Sequence, residues 1–298
     1  MPEDLKIAIL SPLLKKSNID FESFTNFRPV SNLKFLSKLI EKSVSGQLNN
    51  YLVENDLHEQ YQSAYKAFHS TETALVKITN DILLSLDRGE HVFLLLLDLS
   101  AAFDTVSHSL LLSRMEKRFG ISGIVLKWFE SYLSNRSQFV NINGTRSATH
   151  DVNIGVPQGS VLGPLLYLIY TSPLAEIINR YNLKYHLFAD DTQIYISFNT
   201  TDVATSKQRV EDCVAEICHW MNSNELKLNH DKTEIMLIHS SYVADKSAGI
   251  VCRIVYKTIN GMSPRLWNIL PLDIHNFRCD VRSLPFYGYS ATVQRMIE

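Results

Sequence analysis

Hydrophobic positions along the chain switch between a helical and a strand period, and each switch marks an element. Over residues 31–52 the side chains Leu33, Leu36, Leu39, Ile40, Val44 and Leu48 recur every three or four positions, which predicts a helix. A second helix is expected after Ser70-Thr71, which can cap it. Glu72 stands in its first turn, Leu75, Ile78, Ile82 and Leu86 line one face, and Gly89 would end it. The period then changes. Val92 to Leu97 is an unbroken apolar run leading into Asp98, as expected of a strand buried on both faces.

Helices are predicted over Ser109–Phe119 and Ile124–Leu133, with Gly120 closing the first. Gln138 to Asn143-Gly144 reads as a strand entering a hairpin turn, with Asp151 to Ile154 as candidate partner. The loop Gly155-Val-Pro157-Gln158-Gly159 opens into one mostly apolar helix from about Val161 to Ile178, with Pro164 tolerable in its first turn. Tyr185 to Phe198 predicts two short strands around a tight acidic turn at Asp190-Asp191. A helix with Val210, Val214, Ile217 and Met221 on one side follows, then the segment Leu226–Lys232 and a strand over Glu234–Ile238. The order is α+β, with the strands suited to a split βαβ sheet backed by helices.

Composition changes little in this picture. The 298 residues are 45% hydrophobic and 20% charged, enough apolar material for a sizeable core. The net charge of −2 lends no global support to a nucleic-acid binder, although a binding channel needs only a local basic face. Cys213, Cys218, Cys252 and Cys279 form no Cys-x-x-Cys pair, so reduced thiols in an intracellular protein are expected. No signal peptide is visible, and the run from Val92 to Leu97 is too short for a bilayer, so the chain is read as soluble with no membrane partner.

Candidate chemistry begins with the carboxylates. Asp98 ends the most apolar strand, where an unpaired charge is costly; alone it would read as a helix cap or an exposed strand end. The adjacent Asp190 and Asp191 repel each other and lose hydration in a hairpin, and a divalent cation such as Mg²⁺ offsets both costs. Side chains alternate across a strand, so Asp190 is expected to be the primary ligand and Asp191 its assistant. Two strands presenting carboxylates side by side can hold two metals roughly 3.5–4 Å apart for an in-line displacement at phosphorus.

Several co-ordered segments carry a family resemblance. Asp98-Leu-Ser-Ala-Ala-Phe103-Asp104 resembles polymerase motif A of the reverse transcriptases of non-LTR (LINE-type) retrotransposons, and Phe188-Ala-Asp190-Asp191 resembles their catalytic hairpin. Gly155-Val-Pro-Gln158-Gly159-Ser-Val-Leu-Gly163-Pro164 is similar to their Pro-Gln-Gly motif. Asn26-Phe-Arg28-Pro-Val-Ser31 and His69-Ser-Thr-Glu-Thr73 resemble fingers motifs, and Leu228-Asn-His-Asp-Lys232 resembles motif D. They follow the family's order from about residue 5 to 240.

The resemblance implies a right-hand polymerase fingers and palm. It implies an RNA template, a DNA primer and dNTPs as partners, two Mg²⁺ (replaceable by Mn²⁺) as cofactors, and the nucleus as the place of action. No obligate protein partner is identifiable. Asp98, Asp190 and Asp191 would hold the metals, and Lys232 would protonate the pyrophosphate leaving group. Phe103 would lie under the incoming sugar and crowd a 2′-hydroxyl, although it equally suits a core aromatic. Gln158 would contact that sugar, and Gly159 would admit backbone beside the nascent base pair, although both also suit a plain turn. Arg28 and Lys66 are candidates for gripping phosphate, with surface ion pairs as the alternative; Lys66 stands where the family more often has Arg.

The pattern weakens after about Ile238, where the family continues into a primer-gripping hairpin and a thumb. The expected division is therefore 1–90 fingers-like, 91–240 palm and 241–298 a truncated or rearranged remnant, poorly ordered, with the thumb missing. An alternative to a working enzyme is an inactive fragment that keeps the fold and binds nucleic acid; a carboxylate nuclease or phosphatase ranks below both.

Overall fold

The structure is a computed structural model. It describes residues 1–257 apart from 16–19, 21, 101, 230–231 and 242–248; for 25, 100, 240–241 and 249–257 it describes only the backbone. In chain order the elements begin with strands β1 (Ile7–Leu14) and β2 (Phe27–Asn32), helices α1 (Phe35–Glu54) and α2 (Thr71–Asp87), and strands β3 (His91–Leu97) and β4 (Leu99–Ser100). Helices α3 (His108–Lys117) and α4 (Gly123–Leu133) lead to strands β5 (Arg136–Ile142), β6 (Thr145–Arg146) and β7 (His150–Val152). Then come α5 (Gly163–Thr171), α6 (Pro173–Arg180), β8 (Lys184–Phe188), β9 (Asp191–Phe198), α7 (Val203–Ser223), β10 (Lys227–Leu228), β11 (Glu234–Ser241) and β12 (Gly249–Lys257).

The chain divides into two compact units, each assembled from separate stretches of sequence. The first comprises Met1–His58, Ala101–Ser172 and Asn224–Leu226. Its sheet pairs β1 antiparallel with β2 and parallel with β5, and β5 also pairs with β6 and β7. Helices α3, α4 and α5 bury Leu111, Met115, Phe129, Tyr132, Leu166 and Tyr170. The second unit comprises Glu59–Ser100, Pro173–Ser223 and the chain from Lys227 onward.

The second unit is built on the sheet β12-β11-β3-β9-β8, in which every neighbouring pair is antiparallel. Among β3, β8, β9 and β11 the spatial order is fourth, first, third, second, which is the split βαβ order. Val92 and Leu94 of β3 pack with Tyr195, Met236 and Ile238 against Ile78, Ile82 and Leu86 of α2. Phe93, Leu95 and Leu97 point the other way and are also buried, so β3 is covered on both faces, as its unbroken apolar run requires.

Most elements follow the periodicities, and the departures have local causes. Helix α1 begins at Phe35 because Phe27–Asn32 is drawn into a ladder with β1, an edge pairing that Pro29 tolerates. The single helix expected over 161–178 is two helices, broken at Pro173, which has no N–H to continue the ladder. Asn143 and Gly144 both have positive φ, so the turn returns directly as β6, and the strand near 151 pairs with the start of β5 instead. β12 pairs with β11, a strand that the sequence pattern does not anticipate. The expectations for residues 258–298 lie outside the described residues.

Candidate functional site

The three aspartates all belong to the second unit. Leu97 of β3 pairs with Thr192 of β9, so continuing that register by one residue brings Asp98 opposite Asp191. β8 and β9 close at Phe188 opposite Asp191, leaving Ala189 and Asp190 as a two-residue turn. Positive φ occurs at Ala189 (57°) and not at Asp190, the pattern of a type II′ turn, which normally takes glycine at its first central position. Asp191 keeps an open surface, yet its carboxyl is pushed up to about 6. The crowding of protein around it is the main cause, followed by the charges of Asp190 and Asp98, with Lys232 opposing them.

Lys232 and Asn229 close over Asp98. The Asn229 N–H donates to the Asp98 carbonyl at 2.8 Å, the Asn229 amide donates to Asp98 Oδ2 at 3.0 Å, and Lys232 Nζ lies 3.0 Å from the same oxygen. Sequence reasoning missed Asn229 as a site residue, although it lies within the motif D-like segment Leu228–Lys232. Among the described residues, no three His, Cys, Asp or Glu side chains form a group that could hold a metal ion. The aspartates thus sense one another electrostatically without converging as a ready ligand set. Their donor chemistry, hard carboxylate oxygen bearing excess negative charge, suits a divalent cation.

Phe103, Gln158, Gly159 and Arg28 belong to the first unit. Here the loop after motif A and the Pro-Gln-Gly loop are laced together by backbone. Val156 N–H donates to the Phe103 carbonyl and Gly155 N–H to the Val106 carbonyl, both at 2.8 Å, and His108 Nε2 meets the Gly155 carbonyl at 2.7 Å. Gln158 donates from Nε2 to Asp104 Oδ2 at 2.8 Å. Crowding raises the Asp104 carboxyl pKa against the opposing effect of that amide. Phe103 stacks on Tyr167, with ring centroids 4.9 Å apart. The Gln158 carbonyl accepts the Ser31 N–H at 2.7 Å, which ties this loop to β2 beside exposed Arg28.

Glu41, fully buried on α1, anchors the same loop from behind. One oxygen accepts Val161 N–H at 2.7 Å and Leu162 N–H at 3.2 Å; the other accepts the Ser37 hydroxyl at 3.1 Å. An anion at two orphan N–H groups just ahead of α5 is favourable, and no periodicity reveals it. Lys66, in the second unit, turns its ammonium onto the Glu59 carbonyl at 2.5 Å, and burial lowers its pKa. Gln62 is buried beside the acidic turn and was also missed, although it heads the segment Gln62-Ser-Ala-Tyr-Lys66.

The family profile described as reverse transcriptase (RNA-dependent DNA polymerase) matches residues 14–289. A probable RNA-directed DNA polymerase from transposon BS of Drosophila melanogaster is 31% identical over 239 residues, covering 78% of this chain and 26% of the relative. The RNA-directed DNA polymerase from the mobile element jockey of the same species is 27% identical over 216 residues, covering 70% and 23%. The chain therefore spans about a quarter of the length of the curated relatives it matches. A solved apo telomerase of Candida tropicalis, truncated from the C-terminal domain, shares the fold with a TM-score of 0.58 at 12% identity, over 83% of this chain and 53% of that one. No helix among the described residues is long and apolar enough to cross a membrane. With the motifs in order, the split βαβ sheet in place and the family profile matched over most of its length, the chain belongs to the reverse transcriptase (RNA-dependent DNA polymerase) family, of the non-LTR retrotransposon kind, with an α+β fingers-and-palm fold.

Proposed function

We propose that this chain is the core of a polymerase that extends a DNA primer 3′-hydroxyl on an RNA template with dNTPs, Asp98, Asp190 and Asp191 holding the divalent cations. The observation that carries this is the apposition of Asp98, at the end of β3, with the Asp190-Asp191 turn, close enough for the other two charges to raise the Asp191 pKa. When bound, Mg²⁺ or Mn²⁺ would neutralise phosphate charge and ease deprotonation of the attacking hydroxyl. Lys232, whose Nζ lies 3.0 Å from Asp98 Oδ2, would hand a proton to the departing pyrophosphate. Phe103 limits room at the sugar, Gln158 exchanges Asp104 for a sugar hydroxyl, Gly159 leaves space beside the base pair, and Arg28 and Lys66 meet phosphate. In this reading residues 1–90 act as fingers, 91–240 as palm, 241–298 as a rearranged remnant, and the work is done in the nucleus.

One observation favours a second reading, a retained fold that binds nucleic acid without catalysis: Asp98 is already engaged by Lys232 and Asn229. Primer extension on oligo(dT)-primed poly(rA) separates the two. Under the first reading, Mg²⁺- or Mn²⁺-dependent extension is expected and falls by at least about a thousandfold in Asp98→Ala or Asp190→Ala, while primer–template binding stays near wild type. Activity within a few fold of wild type in either variant removes the metal assignment. Metal-dependent binding with no extension by folded protein selects the second reading.

A further inference from the structure

Ala189 occupies a conformation that costs an L-residue free energy, and it does so in the turn that carries Asp190. Such a residue persists where surrounding contacts over-determine it. The segment Tyr61–Ala64 makes those contacts. The Leu187 N–H donates to the Tyr61 carbonyl at 2.8 Å, and the Ser63 N–H donates to the Leu187 carbonyl at 3.0 Å, a short parallel pairing along the outer edge of β8. From its centre the Gln62 side chain, 4% exposed, reaches the turn, where its carboxamide oxygen accepts the Ala189 N–H at 3.1 Å and the Ala64 N–H at 2.9 Å. The flanking residues are also fixed. Ser63 Oγ meets His186 Nε2 at 2.9 Å, and the Tyr61 and Tyr185 rings meet edge to face at 5.3 Å.

We infer that Gln62 is the positioning residue of the acidic turn, its carboxamide oxygen holding Ala189 in the left-handed conformation from which Asp190 projects. Gln62 touches neither substrate nor metal in this scheme; it acts through the Ala189 backbone. A glycine in place of Ala189 would reach the same φ without help, whereas alanine needs the bond. The consequence for metal binding rests on the function proposed above, but the hold on the turn does not.

Gln62→Met keeps the length of the side chain and removes the acceptor. Amide hydrogen exchange over residues 187–191 should quicken about tenfold, the change expected for a lost hydrogen bond of this kind, while exchange in β3 stays at its wild-type rate. Mn²⁺ affinity, read by electron paramagnetic resonance without substrate, should fall in parallel. Both effects should shrink when the substitution is made in an Ala189→Gly background. Unchanged exchange over 187–191 overturns the inference. So does equal quickening in β3, or an effect of the same size in the Ala189→Gly background, either of which would mark Gln62 as merely structural. Wild-type protein that binds no Mn²⁺ while its turn still responds to Gln62→Met would leave the inference standing and remove the metal reading. Should Gln62→Met fail to fold, the wild-type Ala189 amide decides: protection of about tenfold or more over an open turn supports the bond, and open-turn exchange sinks it.

Discussion

Gly155 shows how tightly single residues are held where the two loops of the first unit meet. Its φ is +84°, and a Cβ there would stand 2.8 Å from the Asp104 carbonyl oxygen, closer than real Cβ atoms come. Gly155→Ala should therefore destabilise the protein by at least about 1–3 kcal/mol in urea unfolding, from left-handed strain together with the displaced backbone. Glu41 is the opposite case, a buried carboxylate whose oxygens accept the Val161 and Leu162 N–H groups and the Ser37 hydroxyl. Glu41→Ala would strand the Val161 and Leu162 N–H groups and should cost about 3 kcal/mol or more by the same measurement. Phe103 packs its ring on Tyr167, as a core aromatic does, and the role proposed for it at the incoming sugar needs a test of its own. Phe103→Ala should raise ribonucleotide incorporation relative to deoxynucleotide, and an unchanged ratio in single-nucleotide extension would reduce the ring to packing.

Helix α2 and strand β9 join through a polar contact set into an apolar face. The Tyr195 hydroxyl donates to Asp81 Oδ2 at 2.6 Å, and Lys77 meets the same oxygen at 2.8 Å. Burial acts to raise the Asp81 pKa, but the bonds from Lys77 and Tyr195 outweigh it and the carboxyl sits below its ordinary value. A depressed folded pKa stabilises above the unfolded value, about 3.9, and that contribution disappears as pH falls through the folded value. Asp81→Asn should accordingly narrow the gap between urea midpoints measured at pH 7 and near pH 3. The sequence makes the apolar side of α2 legible from Ile78, Ile82 and Leu86, and its start from Ser70, which forms a capping box with Thr73. Asp81 and Tyr195 stay illegible together because their partnership spans 114 positions and follows no period. The apolar period alone predicts one helix through Pro173, against the signal of a residue that lacks the N–H to continue the ladder.

Across the whole molecule, each compact unit draws on three stretches of chain, and the chain passes between units inside motif A, where Asp98 falls in one and Phe103 in the other. Motif order identifies the family without revealing this, because periodicity reports the face an element buries and not which distant element covers it. A fragment ending at Glu90 would contain α2 but lack β3, β9 and β11, whose side chains cover Ile78, Ile82 and Leu86. It should show no cooperative unfolding transition by circular dichroism, whereas the full chain should show one.

The short pairing between Tyr61–Ser63 and Leu187 has a further consequence, for solubility. β8 would otherwise end the sheet with a row of open N–H and C=O groups, a template onto which another chain could add. Its partner comes from the segment that also steadies the acidic turn, so changes that loosen this segment expose a sticky edge at the same time. Variants that loosen this segment should aggregate more readily than the wild type, a difference that light scattering of the purified protein would read.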